Sequence, residues 1–365
     1  MKKTLLVLAT IALVVIACKK DDDPPKVVVE FDDTAYDFTH EGLPDPQLPA
    51  DNPLTVTKVA LGRMLFYDKR LSGNQTQSCA DCHGQGDGFS DLDQFSEGAE
   101  GMLGGRQAMG IFNMAWNHGG FFWDGRAPEL RDQALLPIQD PLEMNETIPN
   151  VIAKLEAQQT YRDQFIRAFG DEEVTELRIS LALEAFMFSI VSNQSKYDRF
   201  LRGEESLTAS EERGRELFFT EYNPFFPDQS GADCAHCHSG VNFENDDYMN
   251  NGLDAEGDWD DMGRYDVTED NADRAKFKVT SLRNIELTPP YMHDGRFNTL
   301  EEVVEHYNSG IEDSPTVDPA LQATISTGLM LTEQDKADLV AFLKTLTDHT
   351  IATDERFDNP WDLLE

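Results

Sequence analysis

Two five-residue stretches constrain this chain more than anything else in it: CADCH at residues 79–83 and CAHCH at residues 234–238. A bare CxxC serves a redox dithiol, half a zinc site or a haem attachment site. Histidine is 8 of 365 residues, so its arrival directly after both motifs by chance has odds of roughly one in two thousand. Four cysteines could ligate zinc, but zinc gives no reason for the trailing histidines. Covalent haem does: two thiols add across the two vinyl groups of one porphyrin, and the adjacent imidazole is held under the iron. The pentads therefore predict two haem c groups, one on Cys79 and Cys82 with His83 as proximal ligand, the other on Cys234 and Cys237 with His238. His236, inside the second pentad, is read as a surface residue.

The fifth cysteine, Cys18, ends a different pattern. MKKTLLVLATIALVVIAC has two lysines, an uncharged run from Thr4 to Ala17, then Cys18. The run is too short to span a bilayer and has the charged start of a secretory signal. Val15, Ile16, Ala17 and Cys18 resemble a bacterial lipobox, which assigns residues 1–17 to a lipoprotein-type signal peptide and Cys18 to lipidation. Residues 18–48, opening KKDDDPPKVVVEFDD, read as a flexible tether. The expectation is an exported protein, periplasmic or on the cell surface, attached to a membrane only through its N-terminal lipid. No cysteine is then left for a structural disulfide.

The formal charge of −38 makes nucleic acid a poor partner and a basic protein a favourable one, while acidity that only keeps the chain soluble accounts for it equally well. Hydrophobic and aromatic contents of 40% and 10% describe a globular chain. Its length allows two domains, and the sequence is mostly α, with one plan used twice around the pentads. NPLTVTKVALGRMLFYDKRLSG offers Asn52 as N-cap and Pro53 at the first helical position; TASEERGRELFF opens with Thr208 and Glu211 at capping-box spacing. VTELRISLALEAFMFSIVSNQSKYDRFLRG reads as one long buried helix, and a last helix runs from Thr332 through Leu346. Two c-type cytochrome domains follow, residues 49–203 and 204–365, each with one covalent haem. Residues 244–274, rich in Asp, Glu, Asn and Gly without a sustained period, read as an ordered loop with no EF-hand spacing.

A haem with both axial positions filled passes electrons, whereas one with an open position can bind peroxide. In TLEEVVEHYNSG, Thr299 and Glu302 form a capping box, and Leu300, Val303, Val304 and Tyr307 share one face. Periodicity alone makes Tyr307 a core residue. FFWDGRAPELRDQALLPIQDPLEM and SLRNIELTPPYMHDGRFNTLEEVVEHY, together with both pentads, resemble the bacterial dihaem cytochrome c peroxidase family, including its MauG branch, over residues 50 to 345. The resemblance implies that Trp123 lies between the haems as an electron relay. It places Gln133, Pro137, Glu143 and Met144 over the open face of the N-terminal haem. Glu143 would act as acid–base, Gln133 would orient peroxide, and Pro137 and Met144 would shape the pocket. It also makes Tyr307 a distal ligand of the C-terminal haem, with Met292 as rival. Many family members cap the first haem with a histidine soon after the pentad; none occurs between Gly84 and Asn117 here, and Met102 is the remaining alternative. A calcium ion would use Gln107, Thr288 and Pro290, and family members are often homodimers.

These implications converge on a peroxidase that reduces hydrogen peroxide to water with electrons from a small cytochrome c-like donor. The alternatives are MauG-like, peroxide-dependent oxidation of a protein substrate, and a dihaem electron-transfer cytochrome without peroxidase activity.

Overall fold

The computed structural model describes residues 28–362; the signal segment and Cys18 lie outside the described residues. The first half is built on two helices, α1 (Val56–Phe66) and α2 (Glu176–Ser189). Thr55, rather than Asn52, caps α1, its hydroxyl accepting the Lys58 N–H at 3.2 Å. The Asn52 amide is instead buried against α2, where it donates to the Leu181 carbonyl and the Glu184 carboxylate, both at 2.9 Å. The second half is built on α3 (Ala209–Phe219), α4 (Leu300–Ser309) and α5 (Glu333–Lys344), each opened by the capping box read from its sequence.

In each half the helix preceding the pentad crosses a partner helix at a glycine. A Cβ on Gly62 would stand 1.9 Å from the Ala182 carbonyl oxygen of α2 and 2.7 Å from Phe186 Cβ. A Cβ on Gly214 would stand 1.9 Å from the Asp338 carbonyl oxygen of α5 and 2.9 Å from Phe342 Cβ. At both crossings a phenylalanine one turn further along the partner helix fills the angle between the helices. Phe66, Tyr161, Phe165 and Phe186 centre the first core, and Phe218, Leu339 and Phe342 the second.

The predicted long helix ends at Ser189 and restarts as a short helix, Lys196–Leu201. Long-range side chains capture the backbone donors between them: Ser192 N–H goes to Asn113 Oδ1, and the N–H groups of Asn193 and Gln194 go to Asp348 Oδ2. Asp198, which boxes the restart with Ser195, also forms a bidentate ion pair with Arg283 at 2.9 and 3.0 Å. Core membership changes within this break, since Val191 packs on the first core and Tyr197 belongs to the second. Ile351 and Phe357 return to the first core, so the end of the chain crosses back over the seam.

Residues 244–274 contain only single turns and β1 (Tyr248–Met249), which pairs antiparallel with β2 (Phe277–Lys278), Tyr248 opposite Lys278. Side chains pin this stretch to the first half. Arg106 holds Asp261 at 2.7 and 2.8 Å and Asp124 at 2.6 Å, and Arg264 donates to the carbonyls of Asp124 and Gly125. Among the described residues no helix is long and apolar enough to cross a membrane.

Gly62→Ala and Gly214→Ala should each cost about 1–3 kcal/mol of stability, because backbone rather than a flexible side chain must move. Gly257→Ala, with open space around its Cβ position, should be nearly neutral. Chemical denaturation of the three holoprotein variants checks this.

Candidate haem-binding site

The first pentad is a single helical turn, Cys79–Cys82, opened by Ser78, whose N–H donates to Asp81 Oδ2 at 2.7 Å. His83 Nδ1 lies 3.0 Å from the Phe89 carbonyl oxygen. His238 Nδ1 lies 3.1 Å from the Phe243 carbonyl and 3.2 Å from the Thr280 carbonyl. A carbonyl only accepts, so each Nδ1 carries the proton and each Nε2 keeps its lone pair for a metal. Phe89 and Phe243 have φ of 57° and 55°, the left-handed turn that aims each carbonyl back at its histidine. Burial pushes both imidazoles below their ordinary pKa, towards the neutral, ligating form.

The two pentads open on one continuous cavity of about 1180 Å³, lined by Cys82, His83, Cys234, Cys237 and His238. That exceeds the ~300–1,000 Å³ of ordinary single-ligand pockets. A smaller recess beside it brings Cys79 together with Gln133, Pro137, Glu143 and Met144. Among the described residues no three His, Cys, Asp or Glu side chains gather as a metal site, so the four cysteines do not converge on zinc. Among the described residues, three buried side-chain atoms lack a hydrogen-bond partner: Gln77 Oε1, Asn117 Oδ1 and Lys278 Nζ. All three residues line the cavity. A cradle with paired thiols, an oriented imidazole at each end and orphaned polar atoms along its wall fits covalently attached haem.

The sequence-predicted distal residues fall on the two ends. Gln133, Pro137 and Glu143 line the cavity near Cys82 and His83. The Glu143 backbone is clamped, its carbonyl accepting the Ala99 N–H at 2.7 Å, and a Cβ on the neighbouring Gly98 would stand 2.0 Å from the Leu142 carbonyl oxygen. Burial, helped by Asp140 and opposed by Arg126, pushes the Glu143 carboxyl up to about 7. At the other end, Leu300, Val303, Val304 and Tyr307 all line the cavity, the face that α4's periodicity predicts. Asn251 Nδ2 lies 3.5 Å from the Tyr307 hydroxyl and 3.3 Å from Met292 Sδ, so both proposed ligands sit against one amide. Burial pushes the Tyr307 phenol above its ordinary range.

One turn geometry builds both ends. FFWDGRAPEL (121–130) and YMHDGRFNTL (291–300) each close with an antiparallel bridge, Phe121 to Ala127 and Tyr291 to Phe297. Each carries positive φ at its second residue and its glycine: Phe122 and Gly125, Met292 and Gly295. Matching the turns pairs Leu130 with Leu300, and the same spacing beyond them pairs Pro137 with Tyr307. One side chain has no ligating atom and the other ends in a phenol.

Between the ends, the Trp123 ring meets the matching His293 edge-on at 6.5 Å, and His293 stacks on Phe277 at 3.6 Å. Trp123 Nε1 donates to the Gln107 carbonyl at 2.8 Å. Gln107, Thr288 and Pro290 line the same cavity, with Gln107 Nε2 donating to Ser90 Oγ and the Asp91 carbonyl. Met102 is 52% exposed and does not line the cavity. His236 points outward, its Nε2 3.4 Å from Asp318 Oδ1. Neither His293 nor Asn251 is among the site residues that the sequence predicts. The repeated DGR turn would have flagged His293 as the counterpart of Trp123; nothing local marks Asn251.

Fold and site define a c-type cytochrome whose cavity joins two attachment motifs through an aromatic bridge. The chain belongs to the di-haem cytochrome c peroxidase family, whose profile matches residues 56–206. It is 37% identical over 308 residues to the methylamine utilization protein MauG of Methylorubrum extorquens, covering 84% of this chain and 82% of that protein. It is 34% identical over 307 residues to cytochrome c551 peroxidase of Nitrosomonas europaea, covering 83% and 84%. A solved MauG-like protein associated with microbial copper homeostasis superposes with a TM-score of 0.77 at 38% identity, over 88% of this chain and 98% of that one.

Proposed function

We propose that the protein is a dihaem peroxidase that reduces hydrogen peroxide to water with electrons from a small redox protein such as a cytochrome c. The observation that carries this is the asymmetry of the cavity, with Glu143 and Gln133 beside the first pentad and Tyr307 facing the second. Its two parts are an N-terminal peroxidatic domain and a C-terminal electron-transfer domain, each holding one haem c. His83, Cys79 and Cys82 would hold the haem that supplies the redox chemistry of O–O cleavage.

The chain's own residues do the rest. Glu143 would take a proton from one peroxide oxygen and return it to the other, which would leave as water. A carboxyl with a pKa near neutral suits both transfers. Gln133 holds the peroxide by hydrogen bonding, while Pro137 and Met144 wall the recess. Trp123, fixed by Gln107 and edge-on to His293, is the relay between the ends. Two electrons and two protons per peroxide balance the reaction to two waters. The same reading sets a calcium ion against the Gln107 amide oxygen and the Thr288 and Pro290 carbonyls, an oxygen-only donor set of the kind that cation takes. It also sets the protein outside the cytoplasm, lipid-anchored at Cys18, where the acidic surface favours a basic donor.

A second reading, peroxide-dependent oxidation of a protein substrate, draws on Tyr307, since phenolate donation favours the more oxidised states of iron. Mass spectrometry of a partner protein after peroxide treatment separates the two.

Purified holoprotein should contain two haems per chain by pyridine haemochrome, and should oxidise reduced cytochrome c when peroxide is added. Failure to consume peroxide with any reduced cytochrome donor would end the assignment. Glu143 must be ionised in the free enzyme to take the first proton, so kcat/KM for peroxide should rise with pH through a limb near 7. Glu143→Gln should lower kcat/KM about 10²–10⁴-fold and abolish that limb.

A further inference from the structure

Lys278 is a buried ammonium that no acceptor of the polypeptide hydrogen-bonds. Its side chain is 3% exposed, and its Nζ has no hydrogen-bond partner. The nearby carboxylates are engaged elsewhere. Asp246 Oδ1, 3.9 Å away and beyond hydrogen-bonding reach, accepts the N–H groups of His118 and Gly119. Glu244 Oε1 accepts the Asn242 amide at 2.9 Å. The Tyr248 ring, 6.0 Å from the ammonium, offers only a marginal cation–π contact. Asp246 and Glu244 offset part of its charge, but a buried ammonium with no hydrogen-bond acceptor still costs free energy, and the unfilled donor points to an acceptor that the chain does not contain.

Lys278 differs from the other two residues with orphaned atoms, Gln77 and Asn117, because it alone brings a charge and a donor to the cavity wall. Its place is on the side of the second pentad. It lies two residues before Thr280, whose carbonyl faces His238 Nδ1. Its cross-strand partner Tyr248 adjoins Met249, whose Sδ is 3.2 Å from Cys237 Sγ. Its own N–H donates to the Trp123 carbonyl at 2.7 Å.

We propose that the Lys278 ammonium forms an ion pair with a propionate carboxylate of the haem attached at Cys234 and Cys237. This rests on the two-haem reading above and adds to it a positioning and potential-setting residue beside the relay tryptophan. Ferric haem carries one more positive charge than ferrous haem, so a fixed cation beside it favours the reduced state. Without that cation, the partnerless propionate takes up a proton more readily.

The test is redox potentiometry on wild-type, Lys278→Gln and Lys278→Arg holoproteins, with haem content measured first. In Lys278→Gln the midpoint of the second haem should fall by about 59 mV, a tenfold change in the equilibrium constant of a one-electron couple, and should become pH-dependent across neutrality. Lys278→Arg should restore the wild-type midpoint. A glutamine variant that keeps both haems with an unchanged second midpoint overturns the proposal, as does a shift confined to the first haem. If the glutamine variant does not assemble, resonance Raman of the arginine variant decides: the propionate-bending bands move if the side chain touches the propionate and stay in place if it does not. Absence of a second haem in the wild-type protein would instead be a failure of the two-haem reading, visible before any midpoint is measured.

Discussion

Each half of the molecule depends on two backbones approaching at a single glycine. At Gly62 and again at Gly214 a methyl group would overlap a main-chain carbonyl of the partner helix, so the crossing closes only because that position has no side chain. The crossing fixes where the helix leading to the pentad ends, and hence where the thiols and the histidine stand. A positive-φ phenylalanine, Phe89 or Phe243, then turns its carbonyl back onto the imidazole. Helix contact, loop and ligand orientation form one chain of cause, and the sequence contains it twice.

The proposed function rests on the place where the two copies differ. The DGR turns match in bridges, signs of φ and acid–base pairs, yet the position beyond the matching leucines is Pro137 in one half and Tyr307 in the other. A prolyl side chain offers a metal nothing, whereas a phenol offers an oxygen donor. The half that lacks a donor is the half where Glu143 has been lifted to about 7 and clamped from behind by Ala99. The two copies meet edge-on at the rings of Trp123 and His293, which occupy equivalent positions in their turns. On the proposed function, this repeated scaffold would separate a reactive end from a closed end, with the aromatic rings between them.

Much of this could be read from the sequence because its determinants are local. The pentads carry their chemistry in five residues, and the capping boxes at Thr208, Thr299 and Thr332 span three or four positions. The Tyr307 face follows from helical periodicity. What could not be read depends on distant partners. Asn52 has the right residue type for a cap but spends its amide on α2. The helix after Glu176 breaks because Asn113 and Asp348 take its backbone donors. Phe357 belongs to the first core although it lies in the last stretch of the chain. Lys278 carries no signal of its own in the sequence, and only the fold buries its ammonium with no hydrogen-bond acceptor.

Electron paramagnetic resonance of the resting diferric protein, beside a Tyr307→Phe variant, tests the proposed asymmetry most directly. The account predicts one high-spin ferric signal from the His83 haem and a separate low-spin signal from the His238 haem, with only the low-spin signal altered in the variant. Two low-spin centres in the wild-type protein, or a variant spectrum identical to wild type, would contradict it.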